Sequence, residues 1–153
     1  MTGKLALGAL LLWLVTVAAA AVLFIRGDTT PGSDGRTAVI MGGGERDFVL
    51  AEMRNLLGAV GEVTAGLADG DRAKIAKAAR QVGRGAAGDA PPALLAKLPL
   101  DFKRAAMALH GGFDDLAAAA EAGASTPVLA AQLADQLNRC SGCHQAYRFD
   151  PQR

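Results

Sequence analysis

The chain has 153 residues, a formal net charge of +1, 5% aromatic residues and two cysteines. Its length fits one domain plus a small extra segment, and its near-neutral charge excludes the basic footprint of a nucleic-acid-binding protein. Alanine is abundant and loses no side-chain entropy in a helix, so the composition favours helices.

Leu5 to Ile25 runs without a charge, between Lys4 and Arg26. At ~1.5 Å rise per residue the run spans roughly 30 Å, enough to cross a bilayer. Ala18 to Ala21 would suit a signal-peptidase site, but the apolar run continues through Val22, Leu23, Phe24 and Ile25. Cleavage at the alanines would leave a greasy new N-terminus. Residues 1–26 are therefore expected to be a retained transmembrane anchor, with flanking charges too balanced to fix its orientation.

Residues 27–44 carry Pro31, Ser33, Asp34, Gly35 and Gly42-Gly43-Gly44. They read as a flexible linker with a span of roughly 20–25 Å. An apolar patch, Ala38 to Met41, interrupts it and is expected to dock on the domain. The glycine triplet follows no expected strand, so it is a poor phosphate cradle.

Four helices are expected within a domain covering 45–153. The first, about 45–67, has Val49, Met53, Leu56, Val60, Val63 and Leu67 on one face. The second, about 71–82, starts at an Asp71 N-cap and turns Ile75, Ala79 and Val82 inward. A Gly/Ala/Pro-rich loop follows, with Leu94, Leu95 and Leu98 in a short apolar turn. The third, about 100–122, carries the stripe Phe102, Ala106, Leu109, Phe113 and Leu116. Gly111-Gly112 in its middle costs about 1 kcal/mol per glycine relative to alanine. That implies a kink, or close approach of another helix or a bound planar group. The fourth begins at Ser125 or Thr126, with Pro127 in its first turn.

Cys140-Ser141-Gly142-Cys143-His144 reads as a covalent c-type haem attachment site. The two cysteines would form thioethers with the haem vinyl groups, and His144 would be the proximal iron ligand. One haem per chain uses both cysteines. A thioredoxin-like pair would want a βαβ setting, and a zinc site would need more ligands than His110, the only other histidine, can supply. Leu129, Leu133, Leu137, Cys140 and His144 recur at intervals of 4, 4, 3 and 4, which puts the attachment site on the apolar face of the last helix. Short connections imply antiparallel neighbours, so the expected architecture is all-α: an antiparallel four-helix bundle with its haem in the core, preceded by the transmembrane helix.

A helical bundle whose last helix ends in C-x-x-C-H, followed by Tyr147-Arg148, resembles the class II cytochromes c, the cytochrome c prime family. The resemblance covers about residues 45–149. It implies that Met53, in Glu52-Met53-Arg54-Asn55-Leu56, is the sixth iron ligand, as in the low-spin members. Methionine there suits electron transfer; an apolar side chain would leave the iron open to nitric oxide or carbon monoxide. His110 is the alternative ligand. Arg148, four residues after His144, is expected to share its face and to pair with a haem propionate, with Arg139 and Arg54 as further candidates. The implied function is a one-electron carrier at the bacterial inner membrane, with its haem domain in the periplasm. A gas-binding haem protein and a haem subunit of a larger membrane redox complex are the alternatives. Expected partners are membrane or periplasmic redox proteins, the bilayer through Leu5 to Ile25, and a second copy in a homodimer; nucleic acid is not among them. No constellation of catalytic side chains is visible.

Overall fold

The computed structural model describes residues 2–88 and 90–152. Helix α1 (Thr2–Arg26) is exposed along its described length and is long and apolar enough to cross a membrane. It ends on the rest of the protein rather than on a free tether. Gly27 turns the chain with φ +64°, and a Cβ there would overlap the Lys97 carbonyl and the Leu98–Pro99 peptide. A side chain at this turn is excluded on both grounds. Asp28 N donates to Lys97 O at 2.8 Å. Lys103 Nζ donates to Phe24 O at 3.1 Å and stands 3.6 Å above the centroid of the Phe24 ring.

Residues 27–44 differ from the expected flexible linker. They contain β1 (Thr29–Pro31) and β2 (Thr37–Met41), which pair antiparallel. β3 (Tyr147–Pro151) adds to β2 in parallel, with Val39 opposite Phe149. The fold is therefore mostly helical with a small three-stranded sheet, not purely α. The sheet escapes a sequence reading because β2 finds its second partner at the far end of the chain. The glycine triplet consequently does follow a strand and leads into a helix.

Six helices follow α1 among the described residues. α2 (Gly43–Asp69) closes on a left-handed Gly70, and α3 (Arg72–Arg80) is capped by Asp71, which accepts from Lys74 N at 2.9 Å. The expected loop contains two short helices, α4 (Arg84–Ala87) and α5 (Pro92–Lys97). α6 (Leu100–Glu121) and α7 (Thr126–Ala146) lie close to the expected bounds. Glu45 ties the start of α2 to the end of α5: one carboxylate oxygen accepts from Gly42 N and from Lys97 Nζ, each at 2.7 Å. The Lys97 hydrogen bond, with help from Gly42, holds the Glu45 carboxyl below its ordinary range.

Two apolar clusters form. In the first, Val63, Ile75, Ala79, Phe113, Leu116 and Leu129 join α2, α3, α6 and α7. In the second, Val39, Met41, Val49, Leu94, Leu98 and Phe102 join the sheet to α2, α5 and α6. Each fully buried large side chain, such as Phe113 or Leu116, contributes about 2–3 kcal/mol. Tyr147 and Phe149 meet the Phe102 ring edge-on, at 5.2 and 5.9 Å between centroids. β3 thus anchors to the second cluster.

Gly111 and Gly112 are explained by close approach. A Cβ at Gly111 would run into the Arg84 guanidinium, and one at Gly112 into the side-chain amide of Gln136 on α7. The inward line of α7 is Leu129, Leu133 and Gln136, whereas Leu137, expected on the apolar stripe, is 44% exposed.

Candidate haem site between the two cores

The two clusters do not meet. Between them lies a groove of about 130 Å³, partly open to solvent. α2 supplies one wall with Val49, Glu52, Met53 and Leu56. α7 supplies another with Arg139, Cys140, Cys143 and His144. α6 contributes Phe102, Ala106, Leu109 and His110. Met53 and Cys143 pack on the margin of the second cluster, and Leu56 and Leu109 on the margin of the first. An apolar group lodged here would join two cores that otherwise stay apart.

The motif residues gather in this groove. Cys140 and Cys143 are half-buried, with both thiols free. Burial pushes both thiols up from their ordinary range, so they are neutral at pH 7. That is opposite to the lowered pKa of a reactive redox pair. His144 is exposed at the point where this groove meets a second one, and Met53 lines both. Among the described residues, no three His, Cys, Asp or Glu side chains cluster to hold a bare metal ion.

His110 is buried and lines the same groove. Its Nδ1 lies 2.8 Å from Val82 O. A carbonyl only accepts, so Nδ1 carries a proton, and in the neutral ring Nε2 is then the acceptor. The geometry does not separate His110 from the site. Met41, by contrast, is buried in the second core, and Met107 is exposed on α6.

Arg148 is placed differently from the expectation. α7 ends at Ala146, so Arg148 lies on β3 and the four-residue spacing from His144 is not a helical face. Its guanidinium is taken by Asp150 at 2.7 Å and Asp34 at 3.4 Å. The adjoining groove, of about 200 Å³, has Arg36, Arg46, Met53, His144 and Arg148 on its lining. Arg36 pairs with Asp34 at 2.6 Å and donates to the carbonyls of His144 and Tyr147. Arg46 and Arg139 make no ion pair among the described residues, and each lines one of the two grooves. Arg46 was missed in the sequence, although it stands seven residues, two helical turns, before Met53.

The donor types present, two thiols, an imidazole and a thioether, are those that a covalently attached haem would use. The groove is apolar, carries two neutral thiols and an imidazole on one wall, and a thioether on another. No family model, curated protein or solved structure matches the chain.

Proposed function

We propose that the protein is a membrane-anchored, monohaem c-type cytochrome of the class II kind that carries single electrons. A haem bound here supplies one-electron exchange at its iron. Cys140 and Cys143 would hold it, and His144 and Met53 would be its iron ligands. The observation that carries this reading is one groove walled by Cys140, Cys143 and His144 on α7 and by Met53 on α2.

The surrounding residues have separate tasks. Val49, Leu56, Phe102 and Leu109 keep water away, which tunes the potential by lowering polarity around the ligands. Arg36 fixes the end of α7, beside His144. Arg46 and Arg139 supply uncommitted positive charge for haem propionates. In this reading α2, α3, α6 and α7 are the four helices of the bundle. α1 keeps the domain at the bacterial inner membrane, on the periplasmic side, where redox partners are held at raised effective concentration. The close junction at Gly27 restricts the domain's reach, so partners must come to it.

Absorption and electron paramagnetic resonance spectra of the mature protein test this. The wild type is expected to be low-spin and slow to take up carbon monoxide. Met53→Ala is expected to be high-spin, to bind carbon monoxide rapidly and to have a lower potential. An unchanged spectrum in that variant transfers the ligand role to His110. Colourless protein with two free thiols, made in a host competent for haem attachment, ends the proposal.

A further inference from the structure

A second cavity lies beside the haem groove and shares Val49, Glu52, Ala106 and His110 with it. It encloses about 120 Å³ and is partly open to solvent, so a ligand here would lodge a ring and leave any tail outside. Its lining includes Leu95 and Met107, large apolar side chains that are 41% and 45% exposed. Lys103, also on the lining, is the residue that clasps Phe24 at the end of α1. Met107 lies four residues beyond Lys103 on α6 and His110 seven, about 6 and 10 Å of helix rise. An apolar cavity thus stands next to the point where the apolar helix leaves the domain.

Its polar groups are selective. In its neutral form His110 offers the lone pair of Nε2, because Nδ1–H is spent on Val82 O. Nε2 makes no hydrogen bond among the described residues, and the ring is only 7% exposed. Glu52 offers a carboxylate, an acceptor when ionised. Lys103 gives one N–H to Phe24 O and stands over its ring, seven residues along α6 from His110. A fatty acid or phospholipid would bring negative charge and more acceptors to an acceptor-lined end. An oxidised quinone would bring only carbonyl acceptors. A hydroquinone brings two O–H donors on an apolar ring, and its isoprenoid tail matches a mouth beside a membrane helix.

We propose that this cavity binds an isoprenoid hydroquinone from the bilayer, with one ring hydroxyl donating to His110 Nε2 and Glu52 accepting on the same side. The inference rests on reading α1 as an anchor and the neighbouring groove as the haem site. It adds a ligand class to that reading, because the ring would sit against residues that also wall the groove.

The full-length chain with its haem, in detergent micelles, is the material for the test. Decyl-benzohydroquinone and the matching quinone are the probes, measured by equilibrium binding. Saturable binding is expected, with the hydroquinone preferred by about tenfold or more, as for one to two hydrogen bonds the quinone cannot donate. His110→Leu should weaken hydroquinone binding about tenfold and leave the quinone unchanged. Ala87→Phe, on a half-exposed part of the lining, should weaken both. A photoreactive azidoquinone should label peptides within residues 86–110. Non-saturable binding, equal affinity for the two probes, displacement by palmitate, or a preference indifferent to His110→Leu overturns the proposal. So does a shifted haem spectrum in His110→Leu, which would place that imidazole on the iron. Failure of the haem reading is seen separately, as colourless protein whose probe binding is still measurable.

Discussion

The Arg36 guanidinium donates to the carbonyl oxygen of His144 at 3.3 Å, across 108 residues of sequence. The same nitrogen reaches Tyr147 O at 3.4 Å. Carbonyls at a helix C-terminus lack intrahelical partners and carry partial negative charge, so a cation there both caps the helix and fixes the residue it caps. Arg36→Ala should therefore destabilise the protein by about 1 kcal/mol, a charged hydrogen bond discounted for partial exposure. Thermal melting reads the loss. Faster amide exchange confined to residues near the end of α7 and in β3 would localise it. Uniformly faster exchange would mean that Arg36 acts on the whole fold instead.

Asp34 completes that corner and makes it pH-sensitive. Its carboxyl is lowered to about 2, first by the hydrogen bonds from Arg36 and then by the charges of Arg36 and Arg148. A carboxyl lowered on folding contributes stability above its unfolded pKa, near 4, and loses it as pH falls toward the folded value. The stability gap between wild type and Asp34→Asn should be constant above about pH 5 and close between about pH 4 and 2. Denaturant titrations across that range check it. A gap of the same size at about pH 5 and about pH 2 would show that the carboxylate charge is irrelevant.

Much of the helical layout was legible because its signals are local. Asp71 before the second helix, Pro127 at the start of the last, and the stripe Phe102, Phe113 and Leu116 each declare themselves within a few residues. Met53, Cys140, Cys143 and His144 were also readable, and they line one groove. The sheet was not legible. Thr37–Met41 is a short strand whose parallel partner, Tyr147–Pro151, follows a helix at the other end of the chain. Nothing near either segment reveals the other. That hidden pairing moved Arg148 off the helical face and gave its charge to Asp34 and Asp150. The stripe reading of α7 failed at Leu137 because Gln136, facing Gly112, takes the inward place.

The two glycines of α6 should respond differently to alanine. Each substitution gains about 1 kcal/mol of helix propensity. At Gly111 the new methyl meets the end of Arg84, a side chain that can swing into solvent, so Gly111→Ala should be neutral or stabilising. At Gly112 it meets Gln136, which is 4% exposed and has little room to yield. Overpacking costs about 1–3 kcal/mol, so Gly112→Ala should be destabilising by about 1 kcal/mol net. Adding Gln136→Ala should relieve the clash. A double-mutant cycle with no coupling between positions 112 and 136 would refute the packing account.

If the groove holds a haem, the free arginines and the paired one should tune its potential unequally. Arg46 makes no ion pair among the described residues and lines the same cavity as Met53 and His144. Arg148 lines it too, but Asp34 and Asp150 already offset its charge. Positive charge near the iron favours the reduced state, because reduction removes a positive charge from the centre. Arg46→Ala should lower the midpoint potential by on the order of 30 mV at low ionic strength, and less in high salt. Arg148→Ala should lower it by a smaller amount, because Asp34 and Asp150 hold its guanidinium and leave it less free than Arg46 to approach the propionates. Redox titration of the two variants side by side decides the point. A larger shift from Arg148 would place the propionates on the sheet side and return Arg148 to the role that its sequence position first suggested.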